Sequence, residues 1–203
     1  MNTAIQTAWN QINRQFQEAA SWLPNYFAHP RSIGSIMPSS TALAEAMTRA
    51  AQHHGAADSL IIEAGAGNGA ITRVLADTFP LQRLTACENM TDLAAELSQR
   101  LPQVCVRCCR VQDLPQWHDP AAKTIVSSLP FRSLPPQEAT EIAERLQHEL
   151  HRNPASVLVQ FTYGLLNPIP QLAQDPHIAS FRHARVWRNL PPASVWVYRA
   201  HIV

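Results

Sequence analysis

What this sequence withholds narrows it first. No apolar run in the 203 residues approaches the ~20 needed to cross a bilayer. The N-terminus has no basic region followed by an apolar core and a small-residue cleavage site, so no secretory leader is expected. Charge is sparse and balanced, with 16 Lys and Arg against 15 Asp and Glu for a net +1. That balance argues against nucleic-acid binding through bulk charge and leaves open only a local patch. There is no internal repeat and no low-complexity tail. Cysteine is scarce, with four residues at 87, 105, 108 and 109. Cys105 and Cys108 form a C-x-x-C, but the second ligand pair of a structural zinc site is missing and strand-like alternation sends neighbours to opposite faces. The expectation is buried free thiols in a reducing compartment and no metal. A cytoplasmic protein follows, peripheral to a membrane at most. At 46% hydrophobic the chain suffices for one packed domain and is short for two.

Glycine is also rare, six in all, and three of the six fall in one loop. There Ile61-Ile62-Glu63-Ala64-Gly65-Ala66-Gly67-Asn68-Gly69-Ala70 joins an apolar run to a helix-like segment. A strand, a glycine turn and a helix N-terminus make a nucleotide site, with backbone N–H groups facing the ligand. Glu63 before the first glycine is a poor neighbour for a pyrophosphate and suits a cationic end, such as the amino group of S-adenosylmethionine (SAM). Nineteen residues past Gly69, a second strand ends in Glu88, where a ribose diol would lie. A third strand is expected to end near Asp113, within reach of an adenine amine. A fourth runs into Ser127-Ser128-Leu129-Pro130-Phe131. The cofactor set read from these loops is Glu63, Gly65, Gly67, Asn68, Glu88, Asn89, Asp113, Leu114 and Ser127.

The chain before this loop reads differently. Over 3–23, Ile5, Trp9, Ile12, Phe16, Ala20 and Leu23 recur at helical spacing. That helix either packs on the domain or lays Trp9, Phe16 and Trp22 into a lipid surface, although its polar face offers only Arg14 as a base. Residues 25–41 are an irregular connector broken by Pro30 and Pro38, either a plain link or a lid over the cofactor. Ser39 or Ser40 then caps a helix over 42–53. The division expected is 1–41 as helix and connector, and 42–203 as the catalytic domain.

From residue 60 the alternation is regular. Strands at 60–63, 83–87, 104–109, 123–128 and 156–162 alternate with helices at 70–79, 90–100 and 136–151. Proline-rich links then lead to strands at 181–187 and 194–202. The expected fold is α/β, a seven-stranded, mostly parallel sheet closed by an antiparallel hairpin, and with the acids at its strand ends it resembles a Rossmann-like class I SAM-dependent methyltransferase.

Ser128-Leu129-Pro130-Phe131 resembles the N-L-P-Y or N-P-P-F signature of amino methyltransferases, with Ser128 in place of the asparagine. There a polar side chain and a nearby carbonyl, here Ser128 and Leu129, accept from the target amine while an aromatic, here Phe131, packs on the substrate. A hydroxyl lacks the amide's reach, which counts against an adenine amine. The connector H-P-R-S-I-G-S-I-M-P-S-S, the loop E-A-G-A-G-N-G-A, S-S-L-P-F-R-S-L-P, V-Q-F-T-Y-G and the closing V-W-R-N-L-P-P-A-S-V-W-V-Y-R resemble the bacterial phospholipid N-methyltransferases, relatives in fold of the rRNA adenine dimethylases. The resemblance implies successive methylation of phosphatidylethanolamine from SAM. It also implies docking on anionic lipid at the inner face of the cell membrane through the N-terminal helix. Tyr163 is the candidate proton relay, and Arg31, Arg132 and Arg188 are candidates for a lipid phosphate. An rRNA or DNA adenine methyltransferase, or an enzyme for another aminolipid such as ornithine lipid, stands as the alternative. Nucleic acid is not the expected partner.

Overall fold

The computed structural model describes residues 40–189 and 191–201. The predicted helix over 3–23 and Arg31 lie outside them. The first described helix, α1 (Thr41–His54), is capped by Ser40, whose hydroxyl accepts from the Leu43 N–H at 3.2 Å. Of the two serines offered by the sequence, Ser40 therefore does the capping.

Seven strands form one sheet. They are β1 (Leu60–Ala64), β2 (Leu84–Glu88), β3 (Cys105–Cys108), β4 (Lys123–Ser127), β5 (Val157–Thr162), β6 (Ile178–Val186) and β7 (Ala193–Ala200), in the order β3-β2-β1-β4-β5-β7-β6. The first five run parallel, and β7 inserts antiparallel between β5 and β6. The connections are α2 (Ala70–Thr78), α3 (Thr91–Arg100), α4 (Pro136–Arg152) and the short α5 (Pro170–Gln174). The sequence reads that last stretch as a proline-rich link. Pro170 at the first helical position lacks only an N–H that has no partner there anyway, and Leu172 is buried.

The central strands are apolar on both faces because helices cover both. One face packs Ile61, Leu84, Val126, Val159 and Val197 under α1, α2 and α3, with Leu43, Met47, Ile71, Leu75 and Leu97. The other packs Ile62, Ile125, Leu158 and Tyr198 under α4 and α5, with Ile142, Leu146, Leu150 and Leu172. Strand and helix ranges agree with the sequence reading to within a few residues; the differences lie in where the segment toward Asp113 goes and in the burial of the cysteines. β3 stops at Cys108, five residues short of Asp113, because turns at Val111–Asp113 and Pro115–His118 take over, anchored where Trp117 Nε1 donates to the Val111 carbonyl at 2.6 Å. Of the four cysteines only Cys87 is buried: β3 is the edge strand, so Cys105 and Cys108 face solvent.

Candidate active site

Chain order reverses direction between β1 and β4, which lie side by side. A crevice at the carboxyl ends of such strands is where open α/β sheets bind ligands. The loops leaving β1 and β4 meet there. Gly65 has φ +78°, and a Cβ built on it would stand 3.0 Å from Leu129 Cδ2. Ser128 N–H donates to the Ala64 carbonyl at 2.9 Å, extending the β1–β4 ladder by one rung. Glycine at 65 thus lets the two loops touch.

Across the other flank, the glycine loop is tied to β2. Gly65 and Ala66 N–H groups both donate to the Cys87 carbonyl, at 2.9 and 3.0 Å. Gly67 N–H donates to Glu88 Oε2 at 2.8 Å, and Met90 N–H to Glu88 Oε1 at 2.9 Å. Each carboxylate oxygen has a second lone pair, so Glu88 can still accept from a diol. Gly67 itself has φ +52°, and a Cβ there would meet nothing within 4 Å, so its outer side is open.

Glu63 lies inside this frame and is fully buried. Neither of its carboxylate oxygens has a hydrogen-bond partner among the described residues. Burial pushes its pKa up to about 8; Thr72 of α2 pulls the other way without reaching hydrogen-bond geometry, and Glu88 adds to the rise. A buried, unpaired carboxylate is costly and is retained where something compensates it. A ligand with a cationic end would do so, and the donor set fits SAM on that ground.

The acceptor loop is fixed from below. Ser127 Oγ accepts from the Leu129 N–H at 3.3 Å, and Phe131 N–H donates to the Leu129 carbonyl at 3.0 Å. Phe131 is buried against the α4 face, and Ser128 is half-buried. The sequence reading missed Gln160 of β5, 1% exposed, which donates through Nε2 to the carbonyls of Leu129 at 3.0 Å and Phe161 at 2.7 Å. Its signal was present: one amide inside the otherwise apolar run 157–161. With two donors on it, the Leu129 carbonyl has no lone pair left for a substrate N–H, which corrects the acceptor role read for that residue.

The remaining candidates are scattered, some beside these loops and some far from them. Tyr163 is half-buried just past β5, edge-on to Phe161 with ring centroids 5.3 Å apart. Asn68 is exposed and caps locally, its Oδ1 accepting from the Ala70 N–H at 3.1 Å; Asn89 is exposed. Leu114 is buried in the core, so its side chain does not line a ligand. Asp113 is exposed beside Arg110, which also pairs with Glu141 at 2.7 Å. Arg132 and Arg188 are exposed, and Arg188 follows the far edge strand β6, four strand spacings or about 19 Å from β1. That distance separates Arg188 from the glycine loop. No three His, Cys, Asp or Glu side chains gather as a metal set among the described residues.

Compared with models of known protein families, the sequence matches none. Among solved structures, it is similar to the 1,6-didemethyltoxoflavin-N1-methyltransferase of Burkholderia thailandensis, with a TM-score of 0.62 at 17% identity over 92% of this chain and 90% of that one. The O-methyltransferase TomG of Streptomyces achromogenes gives 0.57 at 14% identity over 90% and 89%. TrmN of Thermus thermophilus gives 0.59 at 18% identity over 79% of this chain and 49% of that one, so this chain spans about half its length. These likenesses show the fold. Among curated proteins, an ornithine lipid N-methyltransferase of Singulisphaera acidiphila is 30% identical over 190 residues, taking in 88% of this chain and 94% of that protein. With similarity running nearly end to end on a class I sheet, the chain belongs to the lipid N-methyltransferases, SAM-dependent enzymes of the class I fold.

Proposed function

We propose that the chain transfers methyl groups from SAM to the primary amine of a lipid head group at a membrane surface. The observation that carries this reading is Glu63, buried and unpaired one residue before a loop that touches the acceptor loop through Gly65 and Leu129. Glu63 takes the cationic amino-acid end of the cofactor, Gly65 and Gly67 let backbone approach it, and Glu88 takes the ribose diol. Asp113 and the Leu114 backbone, from the loop past β3, serve the adenine end together with Asn89 at the end of β2. Asn68 and Ser127 hold the two loops in shape.

Bound SAM supplies an electrophilic methyl carbon on a sulfonium. The chain's task is positioning, which can contribute roughly 7–11 kcal/mol at its upper limit. An ammonium head group must lose a proton before its lone pair can attack. Ser128 Oγ accepts from the amine N–H, Phe131 closes the wall behind it, and Tyr163 relays the proton toward the lipid phosphate or solvent. Each transfer then forms one N–C bond, breaks one S–C bond and releases one proton. Arg31 and Arg132 are the guanidinium candidates for the substrate's phosphate, since Arg188 stands four strand spacings from β1. Docking through residues 3–23 belongs to the same reading.

Two head groups compete. The sequence motifs favour phosphatidylethanolamine, whereas the relative that covers nearly the whole chain carries an ornithine-lipid name. Transfer of labelled methyl to vesicles of each lipid, and to total RNA, decides between them. Label in either lipid supports the reading and names the head group. Label in RNA alone overturns it.

A further inference from the structure

Three large apolar side chains stand exposed among the described residues: Leu165 at 44%, Leu166 at 66% and Trp187 at 74%. They sit on two loops, after β5 and between β6 and β7. The register pairs Thr162 with Ser194 and Val186 with Ala193, so both loops lie at the end of the sheet where β1, β2 and β4 finish. That is the end holding the active site.

The loops are braced together. Ser194 Oγ and Arg185 Nη1 both donate to the Gly164 carbonyl, at 2.8 and 3.2 Å. The Arg185 guanidinium also lies 5.2 Å above the Trp187 ring. Asn189 accepts from the Ser40 N–H at 3.1 Å and donates to the Pro191 carbonyl at 2.8 Å, fixing the turn beyond Trp187. The apolar residues are thus held outward by a built frame.

Charge singles out the same edge. From residue 176 onward the sequence has no Asp or Glu, and of its four arginines Arg185 and Arg188 stand at the loop end of β6 and Arg182 midway along it, while Arg199 lies toward the other end. Arg182 and Arg188 are exposed. An exposed tryptophan and a leucine pair beside arginines match the headgroup region of a bilayer, where indole sits amphipathically and guanidinium meets phosphate. A second copy of this chain is a poor occupant, because a two-fold contact would set arginine on arginine.

We propose that residues 163–166 and 187–189, with Arg182, form a docking face for an anionic lipid bilayer, pressing the mouth of the active site to the membrane. This rests on the lipid-amine reading above and adds a contact separate from residues 3–23.

The test is co-sedimentation with vesicles of phosphatidylglycerol and phosphatidylcholine, using the full chain, Leu165→Ser/Leu166→Ser/Trp187→Ser, and Arg182→Glu. Thermal unfolding verifies that each variant folds. The triple variant is expected to lose at least about tenfold in vesicle affinity, and Arg182→Glu about fivefold or more with a weaker salt dependence. Transfer to aminolipid in vesicles should fall in step, while transfer to a dispersed short-chain aminolipid stays at the wild-type rate. Wild-type vesicle affinity in the triple variant overturns the proposal. So does loss of transfer to the short-chain lipid, or a wild-type dimer that the triple variant dissolves. Vesicle binding by the wild type that the triple variant loses, with no transfer to either lipid form, upholds the docking face and sinks the substrate reading instead.

Discussion

Gln160 Nε2 reaches from the middle of the sheet to the Leu129 carbonyl at 3.0 Å, joining residues 31 apart in sequence. Ser127 on β4 is in register with Gln160 on β5, so the amide stands beside the strand that delivers the acceptor loop. Its role is to position that loop. Gln160→Leu removes both donated bonds, and displacements of an ångström at a reacting centre cost up to about 100-fold. A fall in kcat of about 10- to 100-fold is expected, with SAM affinity changed by less than about threefold. Gln160→Glu separates positioning from simple loss of structure. Protonated, it still donates to Leu129; ionised, it faces two carbonyl oxygens. Its activity should fall as pH rises, whereas the wild type gains as its amine substrate deprotonates. A flat ratio of variant to wild type across pH 6 to 9 would remove Gln160 from the mechanism.

Glu63 makes cofactor binding proton-linked. Its pKa of about 8 in the folded chain, against an ordinary 4.5, means it keeps a proton at neutral pH until a cation arrives. Binding a cationic group favours the ionised form and expels that proton. SAM affinity should therefore weaken as pH drops below 8, approaching tenfold per unit. Calorimetry in two buffers of different ionisation enthalpy at pH 7 should count close to one proton released, and none for Glu63→Gln. The stability sign is opposite to that of an ordinary carboxylate. Between pH 4.5 and 8 the unfolded chain has lost this proton and the folded chain has not, so this contribution declines as pH rises. Relative to wild type, Glu63→Gln should gain stability across that window, at about 1.4 kcal/mol per pH unit as the upper bound. An unchanged difference in unfolding free energy between pH 5 and pH 8 excludes the shifted carboxyl.

Glu88 holds the glycine loop as well as its own strand end. Alanine there leaves the Gly67 and Met90 N–H groups without the acceptor they now share. Hydrogen bonds to a charged group contribute about 1.5–3 kcal/mol each. Glu88→Ala should weaken SAM binding about 10- to 100-fold and lower unfolding stability by roughly 3 kcal/mol, the low end for two such bonds. Glu88→Gln keeps one acceptor oxygen and should fall between. Titration calorimetry and urea unfolding on the two variants check both numbers; intact SAM affinity in Glu88→Ala would release this residue from the cofactor site.

What could be read in advance was set by local pattern. The apolar runs of β1, β2, β4 and β5 are each closed by a glycine, an acid or a small polar residue, so strand ends and site residues coincide in the sequence. Asp113 broke this pattern because β3 leaves the sheet at Cys108, and Arg110 and Trp117 then fold the following residues into turns. The exposure of Cys105 and Cys108 depends on β3 being the edge, a property of sheet order that alternation alone does not carry. Gln160 and Leu129 were each visible, but nothing local joins the amide of one strand to a carbonyl in the loop that leaves its neighbour.

The opposite end of the sheet carries a fully buried ion pair that should govern stability alone. Lys123 Nζ lies 3.1 Å from Glu149 Oε1 and donates to the carbonyls of Asp119 and Ala121 at 2.8 and 2.7 Å. Glu149 is completed by the Ser156 hydroxyl at 2.9 Å and by Arg152 Nη2 at 2.9 Å. Every charge in the group is answered, so removing one partner leaves the other member of the fully buried Lys123–Glu149 pair short of a partner. Lys123→Met should cost about 3 kcal/mol, the low end for breaking a buried pair, because Glu149 loses one of its two cations while Arg152 still answers it. Lys123→Met with Glu149→Leu should recover much of that loss, since apolar replacements of matched volume avoid the desolvation penalty. Lys123 begins β4, whereas the site gathers at its other end, so kcat per folded molecule should remain at the wild-type value in both variants. Urea unfolding alongside methyl-transfer assays tests the separation, and a double variant no more stable than the single one would show that the pair, rather than its desolvation, stabilises this end of the fold.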